Sequence, residues 1–480
     1  MNNIIQNFLK ILIPCLFLTL GISIFCYPMF LNFDNLAGDY FDARYINYVL
    51  EHGFLWLNQV EPHQNFWDMP IFYPNKNTLA FGDVMLGAMI FYSPIRFFIK
   101  NPLTCFQVFY VLALMLNFLS FYFLSKKVFK LNILYSSFAA YFFTFCLIRH
   151  AQTIHFQLFW QFYMVLSIFC FCLIKNSNTK LKNRLLFLSG VVFLVLQTYT
   201  TFYFGWYMFF CLPIAIVTFL LFKNTREILK NWLRNIDKFC YGAVIFGIIL
   251  LLPLTYHYLL VGSKFAKAEP SSVFHLLFSN SFLNSLFVDY SYFYFPEAML
   301  GVGLITSLLI IIALFKSKYK FSVLFFMVVL IAAFCSKYIY SFLYDNFLPM
   351  AAIRALGRYV FVLVPIYSIV LAYFLKNQKS FLISLILMIL VIVEQIPNIN
   401  YFNWTKTGHQ QRINRFYGGE GCKAVYYKFE ENQEYFANNI DVMFYALSKN
   451  KYSINGYSGV ILDYNESVMD KSCELKIKWK

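Results

Sequence analysis

Charge is scarce in this chain, and acid is scarcer still. Asp, Glu, Lys and Arg make up 13% of its 480 residues, and only 23 residues are acidic. Soluble domains carry roughly a quarter of their residues as charges, so this balance excludes an ordinary water-facing globule. No Walker loop, GxGxxG, HExxH, paired CxxC or GxSxG occurs. Their absence removes the usual supports for nucleotide-driven, zinc-protease and serine-hydrolase chemistry. The first apolar stretch is too long for a secretory leader and lacks a small-residue cleavage site, so it reads as an anchor. No internal repeat is visible.

What is abundant is apolar surface: 60% hydrophobic residues, 60 Phe and a mean hydropathy of +0.60. Runs long enough to cross roughly 30 Å of hydrocarbon recur along the chain. They lie near 8–31, 102–124, 131–148, 154–174, 185–203, 205–222, 239–260, 299–315, 321–337, 358–375 and 380–397. This predicts an all-α polytopic membrane protein with about 11 transmembrane helices, within a range of about 10–12.

A net charge of +16 would suit a nucleic acid, but its distribution does not. Lys10, Lys126, Lys127, Lys130, Lys175, Lys180, Lys182 and Arg184 fall in alternate loops, followed by Lys223, Arg226, Lys230, Arg234 and Lys238. Lys316, Lys318, Lys320, Lys376 and Lys379 complete the series, with only Glu227 and Asp237 as acids among them. The positive-inside rule therefore places the N-terminus in the cytoplasm and the first loop and C-terminal tail outside, in a plasma (inner) membrane. No nucleic-acid partner is expected.

Residues 1–397 form the expected bundle, with outer loops 32–101, 261–298 and 338–357. The stretch 84–99 is short, broken by Pro94 and marked by Arg96, and reads as an interfacial helix. Residues 398–480 change composition sharply and are expected to form a small extracytoplasmic α/β domain. Cys422 and Cys473 are the only cysteines of that tail, and a disulfide and two free thiols are both compatible with the sequence.

The first outer loop gathers seven acids: Asp34, Asp39, Asp42, Glu51, Glu61, Asp68 and Asp83. Asp39 and Asp42, three apart, would share a helix face, with Arg44 near enough to tune one of them. One carboxylate could take a proton from an acceptor hydroxyl while the other orients it or holds a cation such as Mg or Mn. The alternative is that Asp39 caps the following helix and Asp42 sits in its first turn. Asp83 faces the same choice. Arg149, His150 and His155 crowd a short outer loop, and Arg354 and Arg358 share a face four residues apart. Each pair or cluster could hold a phosphate or simply anchor a span.

The blocks Gly38-Asp39…Asp42…Glu51-His52, Phe66-Trp67-Asp68, Ile71-Phe72-Tyr73-Pro74 and Leu79-Ala80-Phe81-Gly82-Asp83 resemble the first outer loop of a group of bacterial polytopic proteins. Those proteins look like GT-C class glycosyltransferases, the class of the protein O-mannosyltransferases and the lipid A aminoarabinose transferase. Arg354…Gly357-Arg358-Tyr359 and Asn455-Gly456-Tyr457-Ser458-Gly459 add weaker similarity. The resemblance implies a GT-C-like bundle that moves a sugar from a polyprenyl-phosphate donor to an acceptor hydroxyl outside the cytoplasm. It implies Asp39 as base with Asp42 as the second choice, and Asp83 as a further acid of the site. Arg149, His155, Arg354 and Arg358 would offset charge on the leaving phosphate. Two departures stand out: the acids are separated by two residues rather than adjacent, and the tail is small.

Two other readings remain at this point. A flippase or transporter of lipid-linked glycans would need polar groups at mid-membrane. The spans offer Gln157, Gln161, Gln197, His257 and Glu394. A non-enzymatic assembly factor would work through the outer loop and tail alone.

Overall fold

The computed structural model describes residues 2–174, 179–262, 301–346, 353, 355–397, 402–429, 435–458 and 469–478. Arg354, Gly459 and nearly all of the expected loop 261–298 lie outside them. From the N-terminus, α1 (Asn2–Phe25) and α2 (Tyr27–Leu31) lead into a loop region holding β1 (Asn35–Leu36), α3 (Asp42–Leu57) and α4 (Leu86–Phe98). The bundle continues with α5 (Pro102–Lys127), α6 (Ile133–Phe145), α7 (Leu147–Ala151), α8 (Phe162–Leu173) and α9 (Lys180–Thr200). Next come α10 (Phe202–Leu221), α11 (Lys223–Leu233) and α12 (Lys238–Gly262). Further on lie α13 (Leu304–Lys316), α14 (Lys320–Cys335), α15 (Lys337–Asn346), α16 (Val360–Lys376) and α17 (Phe381–Glu394).

Local signals set these boundaries. Asn101 accepts the Thr104 N–H at 2.9 Å, with Pro102 opening α5, and Asn132 accepts the Tyr135 N–H at 3.1 Å at the start of α6. Both satisfy N–H groups that a helix start leaves unpaired. Lys126 and Lys127 close α5, where cations suit the helix dipole.

Among the described residues, seven helices are long and apolar enough to cross a membrane, or eight if the bent pair α14 and α15 is one span. Every apolar run read from the sequence holds helix where it is described. Several helices are shorter than their runs, however. The run 131–148 breaks at Cys146, whose extended backbone separates α6 from α7. With 13, 13 and 14 residues, α6, α13 and α17 span only about 20 Å each. Length alone thus supports a polytopic helical membrane protein and falls short of eleven full spans.

Inside the bundle α8 packs on α9 and α5, and α6 takes α1, α5 and α16. Aromatic rings fill the seams: Phe121 stacks on Phe143 at 4.3 Å and Phe109 on Trp160 at 4.4 Å between centroids. Helix α4 lies against α3, α5 and α9, and Gly87 permits the last contact. A Cβ there would stand 2.8 Å from the Leu196 carbonyl oxygen.

The tail, with β2 (Trp404–Thr405), α18 (Lys406–Asn414), β3 (Phe416–Tyr417), β4 (Ala424–Val425), α19 (Tyr435–Ser448), β5 (Tyr452–Ser453) and β6 (Lys476–Ile477), is stitched to the loop region between α2 and α5. Strand β1 pairs antiparallel with β2, matching Asn35 to Thr405 and Leu36 to Trp404. The Tyr73 N–H donates to the Ser453 carbonyl and the Ser453 N–H to the Pro70 carbonyl, at 3.0 and 2.9 Å. A buried ion pair joins Arg44 to Asp441 at 2.8 Å, and Arg412 and Arg415 reach the same carboxylate at 2.9 and 2.8 Å. Cys422 and Cys473 form a disulfide, resolving the alternative the sequence left open.

Candidate functional site

The Gly38-Asp39-Tyr40-Phe41-Asp42 segment turns sharply into α3. Gly38 has φ +94°, a conformation that a side chain disfavours, and its Cβ would meet the Ala43 Cβ at 2.2 Å. Its carbonyl accepts the Asn403 N–H at 3.0 Å, so the tail braces the turn. The helix begins only at Asp42, so Asp39 and Asp42 do not share a helix face as their spacing suggests. Asp39 Oδ1 instead accepts the N–H groups of Phe41 and Ala43 at 3.1 and 3.2 Å, capping the helix start. Arg44 does not tune this pair by contact; its guanidinium is committed to Asp441 and to His409 Nδ1 at 3.0 Å.

Asp42 is held from two distant parts of the chain. His155 Nδ1 stands 2.9 Å from Asp42 Oδ2, an ion-pair distance somewhat off the line of an ideal hydrogen bond. Tyr457 donates its hydroxyl to Asp42 Oδ1 at 2.5 Å. The carboxylate nonetheless stays reachable, with 30% of its side chain exposed against 7% for His155. The ring of Tyr45 packs edge-on against that of Tyr457 at 5.7 Å. The Tyr45 hydroxyl is buried and has no hydrogen-bond partner among the described residues.

The two acids differ electrostatically. Burial pushes the Asp39 carboxyl up to about 6, and repulsion from Asp42 adds to this against its two backbone N–H bonds. Burial acts the same way on Asp42, but the His155 hydrogen bond and charge, the Tyr457 hydroxyl and the charge of Arg358 outweigh it. Asp42 therefore lies below its ordinary value. Near neutral pH one acid is poised to exchange a proton while the other stays ionised, a division of labour suited to acid–base work. Burial and the Asp42 charge push the Tyr457 phenol up, so it remains a donor.

Of the other expected site residues, Arg358 and Asp83 stay within electrostatic reach of this turn, and Arg149 is tied up elsewhere. Asp83 Oδ1 accepts the Phe202 N–H at 2.8 Å and so caps α10 rather than the helix that follows it in sequence. Arg149 is fully buried. It donates to Gln161 Oε1 at 2.6 Å and to the Phe143 and Leu158 carbonyls at 3.2 and 3.3 Å, with its guanidinium over the Phe143, Phe159 and Phe361 rings. Arg358 is buried with its guanidinium 4.5 Å from the Tyr203 ring centroid, and its charge reaches Asp42. Arg354 lies outside the described residues. Tyr457 and Tyr45 were missed as site residues. The Asn455-Gly456-Tyr457 motif was the sole signal for Tyr457, and nothing in the sequence marks Tyr45.

No protein-family model matches this chain, and no curated protein sequence matches it. Its fold does match a solved structure, the crystal structure of the Archaeoglobus fulgidus oligosaccharyltransferase in complex with Zn and sulfate. The TM-score is 0.53 at 10% identity, over 92% of this chain and 62% of that one. The chain thus shares the fold of a GT-C-type enzyme while spanning less than two thirds of its length.

Proposed function

We propose that the protein is a membrane glycosyltransferase of GT-C type, moving a sugar from a polyprenyl-phosphate-linked donor to an acceptor hydroxyl on the extracytoplasmic face. The observation that carries this reading is the pair of unequal carboxylates at one turn, braced by the tail. On this reading Asp39 takes the acceptor proton as the oxygen attacks the anomeric carbon. The bond from that carbon to the phosphate oxygen breaks, and the positive charges of His155 and Arg358 stabilise the departing phosphate. Asp42, kept ionised, fixes His155 and favours positive charge at the anomeric carbon. Arg354 and Asp83 stay as expected contributors, and Arg149 is reassigned to holding the bundle together. The eleven spans, the outward C-terminus and the membership of the bacterial group with this first loop belong to the same proposal. The disulfide suits an oxidising compartment and so favours an outward tail.

A transporter is less well supported. Gln161 donates to the Phe361 carbonyl, and Gln197 bridges the Met164 N–H and the Trp160 carbonyl. Glu394 caps α13 through the N–H groups of Ile305 and Thr306, and His257 bonds Asn77 and stacks on Trp67. These polar groups are committed to the scaffold.

A divalent ion beside the acids is also suggested by the Zn of the A. fulgidus complex. The residues fit it poorly. Both Asp42 oxygens are taken, one oxygen of Asp39 and one of Asp83 bind backbone N–H groups, and no three His, Cys, Asp or Glu side chains gather as ligands among the described residues.

The test is replacement of Asp39 by Asn in the native host, with surface glycans read by mass and protein level by blot. Loss of a defined glycan mass at normal protein level, matching the deletion strain, is expected. An unchanged profile for Asp39→Asn and again for Asp42→Asn would sink the reading.

A further inference from the structure

We infer that the His155 ring and the Tyr457 hydroxyl close the two carboxylate oxygens of Asp42, so that this centre binds no divalent metal. What this means for sugar transfer rests on the glycosyltransferase reading, but the closure of Asp42 does not. Asp42 lies between His155 and Tyr457, and the charge of Arg358 also reaches it.

The geometry points the same way. Two ligands of a tetrahedral zinc at bonds near 2.05 Å stand about 3.3 Å apart. The Asp42 Oδ2 and His155 Nδ1 atoms are 2.9 Å apart, the spacing of a direct ion pair. An octahedral ion would tolerate that spacing, but Mg and Mn prefer oxygen ligands to imidazole. The backbone that carries this ring is also held in place. The His155 backbone N–H donates to the Gln152 carbonyl at 2.9 Å, and its own carbonyl accepts the Leu158 N–H at 2.9 Å. The next residue, Phe156, is buried in the core and anchors that backbone further. Tyr457 closes the other oxygen of Asp42. A metal would have to displace a phenol, an imidazole or both.

The test measures metal in the full chain, purified in detergent without chelator, by plasma mass spectrometry for Mg, Mn and Zn. Far less than one ion per chain is expected, with no rise in the thermal midpoint on adding Mg or Mn. Membranes stripped with EDTA should keep forming the glycan. Close to one ion per chain, lost in Asp42→Asn, would overturn the inference, as would activity abolished by EDTA and restored by a divalent ion. Metal content is read on resting protein, so a metal-free protein that forms no glycan leaves this inference standing and fails the transferase reading instead.

Discussion

Arg44 and Asp441 meet at 2.8 Å with neither side chain exposed, tying the start of α3 to the C-terminal tail. Removing Asp441 strands the Arg44 guanidinium in a place without water, which costs about 3–5 kcal/mol. Asp441→Ala should therefore lower the thermal midpoint by many degrees. Because Arg412 and Arg415 also bind Asp441, the double variant Arg44→Ala/Asp441→Ala should not simply add the two losses. A fluorescence melt of the detergent-purified variants measures both, and additive losses would refute the coupling.

A proton acceptor must be ionised to work, and Asp39 is held near 6. Transfer by membranes should thus fall as pH drops through about 6 and level off above it. A rate that stays flat from pH 5 to about 7.5 would argue against Asp39 as the base.

Tyr457→Phe keeps the ring and removes the bond to Asp42. A hydrogen bond to a charged group contributes about 1.5–3 kcal/mol, so transfer should fall by about ten- to a hundredfold at normal protein level. Wild-type glycan yield from this variant would show that Asp42 needs no help from the tail.

Gly38→Ala meets both a positive φ and the Ala43 Cβ. The strain should cost about 1–3 kcal/mol and shift Asp39 off its two backbone N–H groups. A lower melting midpoint together with reduced transfer is expected. Unaltered values for both would mean the turn adapts freely.

Cys422 and Cys473 close a loop spanning 51 positions. Alkylation before and after reduction should differ by two groups in mass, and Cys422→Ser/Cys473→Ser should lose about 2–5 kcal/mol. Equal masses would show that the thiols stay reduced in the cell.

The sequence made the helical membrane architecture plain, because apolar runs and basic loops are local signals. It misjudged helix lengths where a single residue, such as Cys146, interrupts a continuous apolar run. The acid-rich turn was legible for the same local reason, but its internal geometry was not. Spacing put Asp39 and Asp42 on one helix face, whereas the backbone at Gly38 delays the helix to Asp42. The partners of each acid lie far away: His155 and Tyr457 for Asp42, the Phe202 N–H for Asp83. Such pairings depend on how spans and tail pack, which no single-sequence pattern encodes. Arg149 misled for the opposite reason, since a basic residue in a short loop looks exposed when it is in fact clasped by carbonyls and rings.

The hydrogen bond from Tyr457 has a consequence for biosynthesis. Asp42 emerges early from the ribosome, and the residue that completes its surroundings comes 415 positions later. A nascent chain therefore carries an unfinished centre throughout nearly all of its synthesis and insertion. Chains cut short before residue 457, by proteolysis or a premature stop, can carry every membrane helix and still lack the hydroxyl that closes Asp42.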